Sequence, residues 1–164
     1  MKTIWTTTLL LTMATSTAHA EYKKVDMTVF GMDCAPCAHA VRVSMKGIHG
    51  VNNVEVNLNT GLVVVQLDPG NTAGMRQFNE AIEKNGFTHK QATVMVVGTL
   101  TGTAAAPVLL VTGTSDHYLL APQAQPAALE ALMGKSVTVE GAIPEVAKGK
   151  LPDTLKYTAI AEVK

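Results

Sequence analysis

Val25, Met27 and Val29 alternate with Asp26, Thr28 and Phe30, the two-residue period of a half-buried strand. The period then changes. Ala38, Val41, Met45 and Ile48 recur at steps of three and four, which predicts an amphipathic helix of about three turns, opened by Pro36 in its first turn and stopped at Gly47 and Gly50. Alternation returns with Val54, Val56 and Leu58, breaks at Asn59-Thr60-Gly61, and resumes with Val63, Val65 and Leu67, the signature of a hairpin closed by Asp68-Pro69-Gly70. Asn71 or Thr72 is placed to cap a second helix carrying Met75, Phe78 and Ile82 on one stripe, and Asn85-Gly86 supplies its stop. A further strand follows from about Thr88. The order strand, helix, strand, strand, helix, strand predicts an α+β unit of the ferredoxin-like βαββαβ type, an antiparallel sheet with both helices on one face.

From Thr93 the chain turns to short β-rich runs: 93–103, 108–112, 118–121, 136–143 and 155–163, with a short helix expected from Pro126 to Met133. Three strands, a helix and two strands is the order of a small mostly-β barrel of the oligonucleotide/oligosaccharide-binding (OB) type. Single-strand nucleic-acid binding by such a barrel uses basic grooves with aromatic platforms. This segment offers Tyr118, Tyr157 and few lysines, so a binding or packing module without nucleic acid is expected. The expected division is residues 21–92 and 93–164, the second part following directly on the last strand of the first.

Residues 1–20 read as an export signal: Lys2 gives a positive start, Ile4 to Met13 is apolar with threonine interruptions, and Ala18-His19-Ala20 has the small-x-small form cut by signal peptidase. The apolar stretch falls short of the roughly 18 residues of a spanning helix, so the expectation is an exported protein of the periplasm that does not span the membrane. Thirteen basic and thirteen acidic side chains balance; removing Lys2 with the signal leaves 12 against 13, a net charge of −1. That balance argues against a nucleic-acid partner.

The chemistry concentrates in Gly31-Met32-Asp33-Cys34-Ala35-Pro36-Cys37, where a strand runs into a helix and the chain carries its two cysteines. Thiols at this spacing either chelate one soft metal ion or close one small disulfide. An oxidising compartment favours the disulfide unless a metal or a reducing partner intervenes. A helix N-terminus stabilises the thiolate by about 0.3 to 1 kcal/mol. Two sulfurs suit Cu(I) or Hg(II), whereas Zn(II) and Cd(II) want further ligands.

Together with Gly50-Val51 opening the second strand and Asn85-Gly86-Phe87 after the second helix, this loop resembles the heavy-metal-associated domain over about residues 22–92. That family includes periplasmic mercury-binding proteins, copper chaperones and the amino-terminal modules of metal-pumping P-type ATPases. The resemblance implies metal ligation by Cys34 and Cys37. Asp33, where copper and mercury relatives commonly have Thr, resembles the modules of zinc, cadmium and lead pumps and would add an oxygen ligand there; the competing reading is an Asx-type turn. The resemblance also points Met32 under the loop into the core and gives Phe87 a shielding position.

The histidines add little. His39 lies about 200° around the helix from Cys37, so it faces away. His89 reads as a surface strand residue near the metal-bearing end, His49 and His117 have no partner at ligand spacing, and His19 falls within the signal.

The expected function is that of a non-enzymatic carrier of one soft ion (Zn(II), Cd(II), Pb(II), Cu(I) or Hg(II)), handed by thiol exchange to a partner such as a metal transporter or P-type ATPase. Two alternatives stand beside it. One is a thiol–disulfide redox protein, suggested by Pro36 before Cys37; the other is a metal-responsive adaptor or sensor that binds its partner through residues 93–164.

Overall fold

A computed structural model describes residues 21–123 and 128–163. The expected export signal lies outside the described residues. The elements are β1 (Glu21–Phe30), α1 (Ala35–Lys46), β2 (Val51–Asn57), β3 (Leu62–Leu67), α2 (Met75–Glu83), β4 (Thr88–Thr103), β5 (Ala106–Leu110), β6 (His117–Pro122), a 3-10 turn (Glu130–Leu132), β7 (Ser136–Ile143) and β8 (Thr154–Glu162).

The first half has the expected order. β2, β3, β1 and β4 lie side by side, all antiparallel, with β3 and β1 in the middle. Val25, Met27 and Val29 point into the core, as alternation requires, and meet Val41 and Met45 of α1 and Phe78 and Ile82 of α2, all buried.

The expected division at 92/93 falls inside β4. This strand runs unbroken for 16 residues, and the separate strand expected at 93–103 is its continuation. One edge of β4 pairs with β1 from Thr88 to Val97 and then with β5 from Thr99 to Thr103. The other edge pairs with β7 from Ala92 to Thr99. The change of partner is made at Gly98, where a Cβ would stand 2.5 Å from the carbonyl oxygen of Leu110; only glycine lets β5 approach this closely. From β4 the pairing passes to β5, β6, β8 and β7 and back to β4, a closed ring in which β6 and β8 run parallel and the other pairs antiparallel. The expected helix at 126–133 is only the 3-10 turn Glu130–Leu132 in its described part, residues 124–127 lying outside the description.

A second correction concerns the start of α2. Neither Asn71 nor Thr72 caps it. Asn71 is buried and its Nδ2 donates to the carbonyls of Tyr22 and Asp68, both at 2.8 Å, so its side chain ties β1 to the turn after β3. The N-cap is Gly74, whose N–H is met by Gln77 Oε1 at 3.0 Å. The next donor, Met75 N–H, goes to Asp116 Oδ2 at 2.7 Å, a carboxylate 41 residues further along the chain. A helix of the first half is thus capped from the ring of the second.

The same carboxylate oxygen accepts from Tyr22 Oη at 2.7 Å, and Tyr22 Oη lies 2.6 Å from Tyr118 Oη. Both tyrosines are buried and hydrogen-bonded. Burial pushes the Tyr22 hydroxyl well above the usual tyrosine range, with Tyr118 and the Asp116 charge adding to the effect. Tyr118 is raised too, by burial first and then by Asp116. One contiguous apolar cluster runs from Val41 and Phe78 through Val96 and Leu100 to Leu109, Val139 and Leu155.

Two predictions follow from this junction. Asp116→Ala removes the α2 cap and a buried acceptor at once and should cost about 2 kcal/mol or more in urea unfolding, with both halves still unfolding in one transition. Because Tyr22 and Tyr118 hold their protons more tightly folded than unfolded, stability should be flat below their ordinary pKa of 10.0 and fall as pH rises beyond it. The double Phe variant of these two positions should flatten that alkaline fall.

Candidate metal centre

The end of β1 delivers the loop. Gly31 sits at φ +83°, a backbone conformation open to glycine, and this bend takes the chain out of the sheet toward α1. Met32 is 2% exposed and packs beneath the loop, as the family resemblance implied. Phe87 is half-buried beside it: its ring comes within 3.5 Å of where a Cβ on Gly31 would stand. Phe87 therefore supports the loop from below. Phe30, at the strand end, is largely exposed with Lys90 Nζ 4.7 Å above its ring, a cation–π contact on the sheet face.

Cys34 is the N-cap of α1. Its backbone is extended (φ −138°, ψ 152°) and its Sγ accepts from the Cys37 N–H at 3.2 Å, while its carbonyl accepts from the Ala38 N–H at 3.0 Å. Sulfur takes the place that a serine or aspartate oxygen usually holds at a helix start. Pro36 lies in the first turn, where its missing N–H costs nothing, and that turn contains no acidic residue to oppose a second negative charge. Cys34 is exposed and Cys37 is half-buried against the core, so both sulfurs stand at the protein surface over an ordered base.

In this structure the two sulfurs are bonded to each other, with the Cα atoms 5.1 Å apart. The loop therefore accommodates the disulfide, and binding of a metal requires the reduced pair: two electrons and two protons convert the disulfide to thiols, which lose their protons as they ligate. The donor set fits a soft ion, being two thiolates on a helix N-terminus that favours their charge.

Asp33 is exposed next to Cys34, and among the described residues no hydrogen bond ties its carboxylate down. No group of three or more His, Cys, Asp and Glu side chains converges among the described residues. His39 is exposed, His49 lines an outer groove between α1 and α2, and His117 Nδ1 contacts the Ser115 carbonyl at 3.3 Å. His89 Nδ1 contacts the Lys90 carbonyl at 2.9 Å, and its side chain lies with Met75 and Asn79 against Ile143, Pro144 and Pro152 of the second half. Sequence reasoning missed Tyr22 and Asp116 altogether. No local pattern marks them, since they stand 94 residues apart.

Residues 26–88 match the model of the heavy-metal-associated domain. The chain belongs to that family. It is 41% identical over 61 residues to a copper chaperone CopZ of Staphylococcus aureus, across 37% of this chain and 88% of the chaperone. It is 40% identical over 68 residues to a copper-exporting P-type ATPase of Bacillus subtilis, across 42% of this chain and 8% of the ATPase. The solved structure of oxidized MerP from Ralstonia metallidurans is 25% identical, covers 42% of this chain and 93% of that one, and superposes with a TM-score of 0.38. Among the described residues no helix is long and apolar enough to cross a membrane.

Met32→Ala should destabilise the fold by about 2 to 4 kcal/mol through the cavity it leaves, while Met32→Leu costs less than about 1.5 kcal/mol. Neither should weaken Cu(I) binding by the reduced protein, whereas loss of a thioether ligand would lower the affinity in both variants. Thermal melts and competition titrations of the two reduced variants distinguish the cases.

Proposed function

We propose that this protein is an exported, non-enzymatic carrier of one soft metal ion, held by Cys34 and Cys37 and passed to a thiol-bearing partner. The observation that carries this reading is the position of Cys34 Sγ: exposed, at the N-cap of α1, and already accepting the Cys37 amide. An ion on two surface sulfurs can be attacked by an incoming thiolate before either original bond is lost, which permits stepwise exchange; a closed four-ligand site would hold on to it. Heavy-metal-associated domains bind metal ions and work with P-type ATPases, which supports a metal transporter of that kind as the acceptor.

Asp33 sets the preference among ions in this proposal. Its exposed carboxylate stands beside Cys34 and would raise the site to about three negative charges, favouring Zn(II), Cd(II) or Pb(II) over a monovalent ion. The relatives named for copper instead support Cu(I). The ring of β4, β5, β6, β8 and β7, with its one parallel pair, supports reading the second half as an OB-type barrel, and its sharing of β4 with the first half suits a module that presents the metal loop to a partner.

The bonded sulfurs favour a second reading, in which the pair cycles as a thiol–disulfide couple. The hairpin β2–β3 directly after α1 weighs against a thioredoxin-like enzyme, which needs another strand order.

Replacing Cys34 and Cys37 with Ser should abolish stoichiometric metal binding while the far-ultraviolet circular dichroism stays unchanged; tight binding by this variant would remove the site assignment. Asp33→Thr should weaken Zn(II) and Cd(II) at least about tenfold more than Cu(I), measured by competition against chelators of known strength. Equal loss for all three would make Asp33 a turn residue.

A further inference from the structure

We infer that the loop joining β7 to β8, residues 144–153, is a docking element for the partner of the cysteine loop, and that the lysines at its tip, Lys148 and Lys150, receive acidic side chains of that partner. The inference rests on the proposed handover to a thiol-bearing protein.

The position of the loop follows from the register of the sheet. β7 runs antiparallel to β4 and pairs Ile143, its last residue, with Ala92. Just before Ala92, Thr88 and His89 pair with Phe30 and Val29, which lead into Gly31. The chain leaving β7 thus sets out from the same end of the sheet as the cysteine loop. It then lies along α2, where Pro144, Val146 and Pro152 pack with Met75, Asn79 and His89 in a crevice that leaves no space for a water molecule. At its tip the Gly149 N–H donates to Glu83 Oε1 at 3.3 Å, and the Lys150 N–H turns back to the Ala147 carbonyl at 2.9 Å. Two prolines, an internal turn and a tether to the end of α2 order this loop before any partner arrives, which lowers the entropy lost on docking.

Ala147, Lys148, Gly149 and Lys150 are all exposed. The ion pairs among the described residues are Lys24–Asp26 and Lys135–Glu162, so Lys148 and Lys150 carry unneutralised charge. Lys84, at the C-cap of α2, and Lys90, over the Phe30 ring, extend the same unpaired set toward the cysteine loop. Glu83, the carboxylate that the tip touches, is engaged by the Gly149 N–H. Asp33, Glu80 and Glu145 flank these lysines, so the positive charge is a local patch that calls for carboxylates at matching places. A lipid headgroup offers negative charge but no thiol, and an ion leaving Cys34 and Cys37 needs thiols. The occupant is therefore a protein with acidic side chains beside its own cysteines, and the second half takes part in selecting it.

The test uses the 164-residue chain with its Cys34–Cys37 disulfide and reduced peptides of sequence Cys-Ala-Ala-Cys followed by six glutamates, six serines or six lysines. Six extended residues span about 20 Å, enough to run from the cysteine loop along the end of the protein. A peptide thiolate attacks Cys34 Sγ and Cys37 leaves as thiolate. The second peptide thiolate then attacks the peptide sulfur of the mixed disulfide, releasing Cys34 and closing the peptide disulfide, so two electrons pass from peptide to protein. Rates are read by mass spectrometry of acid-quenched samples. At low ionic strength the glutamate peptide should react about tenfold faster than the lysine peptide, a difference lost in about 0.5 M salt. Lys148→Glu with Lys150→Glu should cut that ratio at least about threefold while leaving the serine-peptide rate and the circular dichroism unchanged. Lys23→Glu with Lys135→Glu makes the same charge change on exposed residues at the far end of the sheet and should leave the ratio within about twofold. No fall in the loop variant, or an equal fall in both, overturns the inference. Binding to anionic phospholipid vesicles that the loop variant loses, with the peptide ratio unchanged, overturns it in favour of a membrane contact. The exchange needs no metal, so a reduced chain that binds no ion would remove the carrier reading without altering this result.

Discussion

Everything in this fold hangs on β4 having partners along both edges. A strand can satisfy two neighbours at once, and over residues 92–97 this one pairs with β1 on one side and β7 on the other. In an isolated βαββαβ unit of this strand order, β4 would be an open edge, a template for unwanted pairing. Here that edge is closed by the second half, and the unused length of β4 beyond Val97 becomes the first strand of the ring. The two halves share a strand, a core and a helix cap, so neither is a bead on a linker.

The cysteine loop is exposed above an apolar base built within the first half. Its lower side rests on Met32, Phe87 and Ala38, apolar contacts continuous with the core, while Cys34 Sγ is oriented by an amide of α1. In the disulfide form seen here, Cys34 Sγ already sits at the helix start and accepts from the Cys37 amide. The redox state of the pair decides whether the loop is available to metal.

The first half was legible because its signals are local. The two-residue period of β1, the Ala38–Val41–Met45 stripe and the Gly-bounded turns each lie within a few residues, and each was satisfied by burial in the expected place. Local reasoning failed where distant chain segments set the outcome. Asn71 looked like a helix cap because it precedes α2, but the carbonyls of Tyr22 and Asp68 compete for its amide, and the capping role passed to Gly74, Gln77 and Asp116. The expected division at 92/93 falls where composition changes, and β4 continues through that change with new partners, which composition does not register. Within the site, the sulfurs and Met32 were legible from the motif, while the support of Gly31 by Phe87 needed the fold.

The most direct test of the account is an anaerobic titration of the reduced chain beginning at Glu21 with Cu(I), Zn(II), Cd(II) and Hg(II), each in competition with a chelator of known affinity. The account predicts one ion bound tightly per chain with release of the thiol protons. A reduced protein that binds none of the four tightly, yet cycles readily between dithiol and disulfide, would contradict it.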